Sequence, residues 1–261
     1  MTSPAKPRPI IGGNWKMNTD HTSSLALAQA VAKASSPVAD KADVAIFPPF
    51  PYLLQISQAL CAAGSKVMLG AQDLYIAEKG AFTGEISAAM LKDCGVRTVL
   101  VGHSERRHII HEGDDLIAAK LDTALAAGLQ VVLCVGETLH QREAGETDHI
   151  TELQVERGLK HVKTEQLSHV VIAYEPVWAI GTGKTASPDD AQNAHNAIRA
   201  VVASMFDKPS AANLRIQYGG SVTAANAASI MSQPDVNGAL VGGASLKPEE
   251  FAAIVNAAAA N

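Results

Sequence analysis

The chain has 261 residues, of which 47% are hydrophobic and 18% charged, enough apolar material for one large core; α/β barrels commonly reach about 250 residues as a single domain. A formal net charge of −5 supplies no broad positive surface for nucleic acid or an anionic membrane, so an anionic ligand has to be held locally. No run of 18 apolar residues is available to span a bilayer.

Residues 1–8 contain prolines and basic residues but no apolar run of the length a secretory signal needs, and read as a flexible extension. From there, short apolar runs alternate with longer segments of helical period. The predicted strands are Pro9–Gly13, Val44–Phe47, Val67–Ala71, Thr98–Gly102, Val131–Val135, Val170–Tyr174, Leu214–Tyr218 and Ala239–Val241. The predicted helices include Ser24–Ala34, Tyr52–Ala63, Asp115–Ala127, His149–His161, Asp189–Phe206, Ala224–Met231 and Glu249–Ala260. Strands that are apolar throughout, without alternation, belong to a parallel sheet covered on both faces. Eight βα units in this length predict one closed (β/α)8 barrel over residues 9–256, with 257–261 as a tail; a doubly wound open sheet would leave two units unexplained. Cys61, Cys94 and Cys134 are far apart and odd in number, and are expected to be buried free thiols in a reducing, cytoplasmic compartment.

Chemistry in such barrels sits at the C-terminal ends of the strands, and several exits stand out. After the first strand comes Gly12-Gly13-Asn14-Trp15-Lys16, a lysine set among glycines and a polar residue. After the fourth comes His103, followed by Ser104-Glu105-Arg106-Arg107, which can open a helical turn. An imidazole at a helix N-terminus meets the positive end of the dipole, which disfavours its charged form. His108 and His111 read as surface or helix-end residues, because their spacing fits no metal motif.

The sixth strand delivers one carboxylate, Glu175, into an eleven-residue loop from Pro176 to Ala186. Pro176 stiffens one end of that loop, Gly181 and Gly183 free the other, and the apolar middle is costly to leave in water unless it closes over something. The segment Gly181-Thr182-Gly183-Lys184-Thr185 mimics phosphate-loop and dinucleotide motifs. It lacks the required glycine at Trp178 for the first, and begins six residues beyond the strand for the second. Tyr218-Gly219-Gly220-Ser221 and Val241-Gly242-Gly243-Ala244-Ser245 follow strands seven and eight, where barrels hold phosphate on bare backbone N–H groups.

Together, Asn14-Trp15-Lys16, Gly102 to Arg107, Ala173 to Gly183, Tyr218 to Ser221 and Leu240 to Ser245 closely resemble the triosephosphate isomerase family, in order, from about Pro9 to Val255. The resemblance implies a TIM barrel and a cofactor-free and metal-free interconversion of dihydroxyacetone phosphate and D-glyceraldehyde 3-phosphate in glycolysis and gluconeogenesis. It implies Glu175 as the base, His103 as neutral electrophile and proton shuttle, and Lys16 with Asn14 as stabilisers of the ene-diol(ate). Gly181, Ser221, Gly242 and Gly243 would bind phosphate under the closing loop 176–186. It further implies a homodimer through the loop 72–84, with Thr83 near the partner's Asn14 region and Glu85 paired to the partner's Arg106. Asn237 and Asp73-Leu74 depart from the commoner family residues, and neither touches a proposed catalytic group. A related phosphosugar epimerase would need paired metal-binding aspartates at strand ends, and a non-catalytic barrel scaffold would be expected to have lost Glu175, His103 or Lys16; all three are present.

Overall fold

The computed structural model describes residues 6–180 and 186–261. Among these the chain runs β1 (Ile10–Asn14), α1 (His21–Ser35), β2 (Asp43–Phe47), α2 (Leu53–Ala62), β3 (Met68–Ala71), α3 (Ala88–Asp93), β4 (Thr98–Val101), α4 (Ser104–His108), α5 (Asp114–Ala126), β5 (Gln130–Val135), α6 (Leu139–Glu143), α7 (Thr147–Gly158), β6 (Val170–Tyr174), α8 (Pro188–Met205), α9 (Lys208–Asn213), β7 (Arg215–Tyr218), α10 (Ala227–Met231), β8 (Gly238–Val241) and α11 (Pro248–Ala259). The strands form a closed parallel barrel in chain order, sealed where Ile10 pairs with Gly238 and Gly13 with Val241.

The strands are mostly apolar because each has two interiors to fill. Ile10, Phe47, Leu100, Val132, Cys134, Val171 and Leu240 fill the barrel's inside. Their neighbours Ile11, Ile46, Val99, Leu133, Ile172 and Val241 face the helices in a second, larger core. The inner layer is tight: a Cβ on Gly70 would lie 2.3 Å from the Phe47 ring, so the glycine makes room for the aromatic side chain. The β7–β8 ladder is short, with Tyr218 opposite Ala239. Buried Gln217 closes this seam, its Nε2 donating to the carbonyls of Ile10 at 3.0 Å and Ala239 at 3.1 Å.

The helix ends are set by local chemistry. Asp20 and Ser23 form a capping box that starts α1 three residues ahead of the predicted Ser24, and Ser187 with Asp190 does the same for α8, with Pro188 in its first turn. α3, α6 and α9 have no counterpart among the predicted helices; they have 6, 5 and 6 residues, too few to display a helical period. α11 continues to Ala259 and buries Ala258, so it takes in residues read as tail. Residues 6–8 of the supposedly flexible extension are tied down: Lys6 Nζ donates to the carbonyls of Met231 and Gln233, and Arg8 pairs with Asp43.

The cysteine expectation is corrected. Cys134 is buried, Cys94 is half-buried and Cys61 is exposed. On α2 the buried stripe is Leu53, Ile56 and Leu60, and the residue after Leu60 is turned about 100° away from it. Asp73, one of the departures, lies in a buried charge cluster, where Lys120 Nζ is 2.7 Å from Asp73 and 2.6 Å from Glu112, and Arg106 contacts both carboxylates. Asn237, the other, accepts from Arg199 at 2.8 Å and from the Ile216 amide at 3.1 Å, while Arg199 retains an ion pair with Asp235. Among the described residues, no helix is long and apolar enough to cross a membrane.

Candidate active site

At the end of β1, Lys16 has a left-handed backbone, φ +52°, a conformation costing a non-glycine residue roughly 1–3 kcal/mol unless its surroundings hold it. Two contacts hold it here. The Lys16 amide donates to Asn14 Oδ1 at 3.0 Å, and Gln72 Nε2, from the end of β3, donates to the Lys16 carbonyl at 2.8 Å. The ammonium lies 2.8 Å from Glu105 Oε1. A Cβ on Gly242 would fall 3.5 Å from Lys16 Cε, so the lysine reaches the exit of β8 across the barrel seam.

His103 follows β4 and Gly102 and is the N-cap of α4. Its Nδ1 accepts the Glu105 backbone N–H at 3.2 Å. The proton of the neutral ring therefore lies on Nε2, which faces Glu175 Oε1 at 3.1 Å. The second carboxylate oxygen of Glu175 accepts the Ser104 amide at 2.9 Å. Glu175 is only 2% exposed and His103 5%, so both sit in a medium that strengthens their mutual interaction.

Burial would push the Glu175 carboxyl up, but His103, the Ser104 amide and Lys16 pull it down, and the net direction is below the ordinary carboxylate range. For His103, burial pulls the imidazole down while the carboxylates of Glu175 and Glu105 pull it up, with a net upward direction. The Glu105 amide counters that pull, since protonating Nδ1 would set one N–H against another. The upward influence belongs mainly to the Glu175 contact. Without that carboxylate, burial and the Glu105 amide would favour the neutral ring against the smaller pull of the Glu105 carboxylate.

Two glycines create the space for Glu175. A Cβ on Gly136, at the exit of β5, would lie 1.9 Å from the Glu175 carbonyl oxygen, and one on Gly219, after β7, would lie 2.8 Å from its Cγ. Sequence reasoning assigns neither glycine this purpose. Glu137, also missed, is fully buried beside them; it accepts from the Tyr174 hydroxyl at 3.1 Å and from Trp178 Nε1 at 2.9 Å. The Arg142 guanidinium lies over the Trp178 ring at 4.2 Å and bonds Asp190 at 2.8 Å. The sequence signal for Glu137 is no more than a further strand exit, Gly136-Glu137-Thr138. The loop's first half is thereby anchored to its neighbours; Gly181 and the rest of 181–185 lie outside the described residues.

Ser221 is half-buried at the exit of β7, its carbonyl held by Asn226 Nδ2 at 3.0 Å. Gly243 opens a 3-10 turn, Gly243–Leu246, and Ser245 Oγ donates to the Gly242 carbonyl at 2.6 Å, with the Asn14 carbonyl also within 3.4 Å. The β8 exit is thus stitched to the β1 exit that bears Lys16. A carboxylate, an imidazole, an ammonium and the glycine-rich exits of β7 and β8 converge on one end of the barrel. Thr83 and Glu85 stand apart from them, exposed on the loop after β3, and Arg106 is half-buried in the Asp73 cluster.

A family model described as triosephosphate isomerase matches residues 9–258. The chain belongs to the triosephosphate isomerase family. Among its relatives, the triosephosphate isomerase of Thiobacillus denitrificans is 51% identical over 250 residues, covering 96% of this chain and 98% of the relative. That of Rhodopirellula baltica is 49% identical, with 96% and 98% covered, and that of Carboxydothermus hydrogenoformans 48%, with 95% and 98% covered. The family match spans all eight strands and every residue gathered at the site described above.

Proposed function

We propose that this chain interconverts dihydroxyacetone phosphate and D-glyceraldehyde 3-phosphate in the cytoplasm, serving glycolysis and gluconeogenesis. The observation carrying this reading is a buried carboxylate, Glu175, 3.1 Å from Nε2 of a buried imidazole, His103, in a barrel of this family. Triosephosphate isomerase is itself the reference case for that pairing.

In the proposed mechanism Glu175 takes a proton from the hydroxyl-bearing carbon next to the carbonyl. The C–H electrons form a carbon–carbon double bond and the carbonyl electrons move onto oxygen, giving the ene-diol(ate). His103 Nε2–H donates to that oxygen and regains a proton from the neighbouring hydroxyl, and Glu175 returns its proton to the adjacent carbon. Lys16, with Asn14 holding its backbone, supports the negative charge through a fixed cation. Ser221, Gly242 and Gly243, with Gly181, would take the phosphate, and the loop 176–186 would exclude water from the intermediate.

The parked geometry gives Glu175 a built-in change of strength. Against His103 and Ser104 it is stabilised as a carboxylate and is a weak base; on leaving them for substrate it loses two donors but stays buried, so its basicity rises where the proton is taken. The reading is tested by a coupled assay of D-glyceraldehyde 3-phosphate conversion with chelator present. The expected kcat/KM approaches about 10⁸ M⁻¹s⁻¹, a ceiling that triosephosphate isomerases themselves help to define. A folded chain without turnover would overturn the enzymatic reading in favour of a phosphate-binding scaffold.

The same reading includes a homodimer through the loop 72–84, with Thr83 and Glu85 reaching the partner's Asn14 region and Arg106. Its support is a group of exposed apolar side chains around that loop and the site's rim: Met17 at 96% exposure, Phe82 at 44%, Ile76 at 38%, Ile109 at 69% and Ile110 at 58%. Such exposure is characteristic of a surface awaiting a partner. Sedimentation at micromolar concentration is expected to give a dimer; a fully active monomer would sink the proposal.

A further inference from the structure

His195 is fully buried on the inner face of α8, and the mechanism above does not use it. Its ring stands edge-on to Tyr174, with centroids 6.0 Å apart at 87°, and 6.4 Å from Tyr218; the two tyrosines are themselves 6.5 Å apart. These are the last residues of β6 and β7. Tyr174 directly precedes Glu175, and Tyr218 leads into Gly219-Gly220-Ser221. Tyr174 also donates to Glu137, the carboxylate that receives the Trp178 indole N–H.

The ring is oriented by the turn on its other side. His195 Nδ1 lies 3.3 Å from the carbonyl of Asp235, in the segment leading to β8, and therefore carries the proton. Asp235 is itself fixed by the same helix: Arg199 Nε donates to its Oδ1 at 2.6 Å and Gln192 Nε2 to its Oδ2 at 2.6 Å. His195 Nε2 is buried with no partner among the described residues, and an unpaired polar atom in a dry interior is destabilising. Burial pushes the imidazole down to about 3, so the ring is neutral at working pH. A phenyl or aliphatic side chain would fill this slot without leaving a bare nitrogen, and only a side chain with a ring N–H meets the Asp235 carbonyl while presenting an edge to Tyr174.

We propose that His195 is a positioning residue for the site: held by the Asp235 carbonyl, its ring sets the packing of Tyr174 and Tyr218, and through them the Glu137–Trp178 anchor of the loop and the Ser221 turn. The proposal rests on the isomerase reading for its kinetic part alone. The coupling runs through contiguous packed groups, from α8 to β6 and β7, and needs no contact between His195 and substrate.

The test uses the full chain labelled with 5-fluorotryptophan, the Trp178 signal being assigned from the Trp178→Phe spectrum. His195→Phe keeps a ring and loses the N–H; His195→Asn keeps a polar N–H and loses the ring, and serves if the first fails to fold. Either folded variant is expected to shift the Trp178 fluorine signal and to lower kcat roughly tenfold at a temperature well below its unfolding midpoint. A purely structural histidine would lower the midpoint alone. A folded variant with kcat within about twofold of the parent and an unmoved Trp178 signal overturns the proposal, and so does a fall in kcat with that signal unmoved, because the path through Tyr174 would then be bypassed. If the parent chain shows no isomerase turnover, the functional reading falls, and the fluorine signal still decides the positioning role.

Discussion

Replacing Glu175 by alanine is expected to lower kcat/KM by about three orders of magnitude, within the 10²–10⁴ range for removal of a positioned general base. The loss should fall on kcat, because in the proposed mechanism the carboxylate acts on the reacting carbon, whereas the proposed phosphate site lies at Ser221 and Gly242-Gly243, at the exits of β7 and β8. Inhibition by inorganic phosphate is therefore expected to stay within about threefold of the parent. Stability is expected to fall by about 1–3 kcal/mol, because the buried Ser104 amide and His103 Nε2 lose their acceptor. Steady-state kinetics in both directions, with phosphate as inhibitor, check the two kinetic points, and thermal unfolding checks the stability. Undiminished turnover would remove Glu175 from the role of base.

Gly136→Ala is expected to injure the fold and the site at once. The new Cβ would stand 1.9 Å from the Glu175 carbonyl oxygen, 2.6 Å from its carbon and 3.2 Å from its nitrogen, and φ at this position is +156°. All three atoms are backbone, so no side chain can rotate out of the way. The Glu175 amide is moreover committed to the Val135 carbonyl at 2.7 Å, which ties the displaced segment to the β5–β6 ladder. Relief requires Glu175 to move by about 1 Å, with an expected loss of at least about 3 kcal/mol of stability. A displacement of that size at a catalytic group is also worth about a hundredfold in rate. Urea unfolding followed by kinetics on the folded fraction measures the two effects separately. A Gly136→Ala variant within about 1 kcal/mol of the parent and fully active would mean that the β5 and β6 exits are far more pliable than their packing implies.

The eight strands and the six long helices were legible because each carries its own signal: a strand with two interiors is apolar along most of its length, and a helix of ten or more residues repeats its buried stripe. α3, α6 and α9 offered no such repeat. The chemical groups were legible where they followed a strand directly, as Asn14, Lys16, His103, Glu175 and Ser221 do. What joins them was not. Gln72 holding the Lys16 carbonyl, Glu137 receiving Trp178, and Gly136 with Gly219 making room for Glu175 all depend on residues brought close only by barrel closure. Cys61 was misplaced for a local reason: α2 is apolar enough overall to suggest burial, and only the angular position next to Leu60 shows that the thiol faces outward.

The pairing of β1 with β8 has a consequence for how the chain comes into being. β2 can complete one side of β1 soon after synthesis begins, but the other side, where Ile10 meets Gly238, waits for a strand made more than two hundred residues later. At about 5–20 residues per second the ribosome takes roughly 10–45 s to deliver it. Throughout that interval the nascent sheet has an open, apolar edge, able to recruit any strand that passes. The finished barrel is closed, so any exposure of an unpaired edge belongs to the half-made molecule, before Gln217 and β8 arrive to seal it.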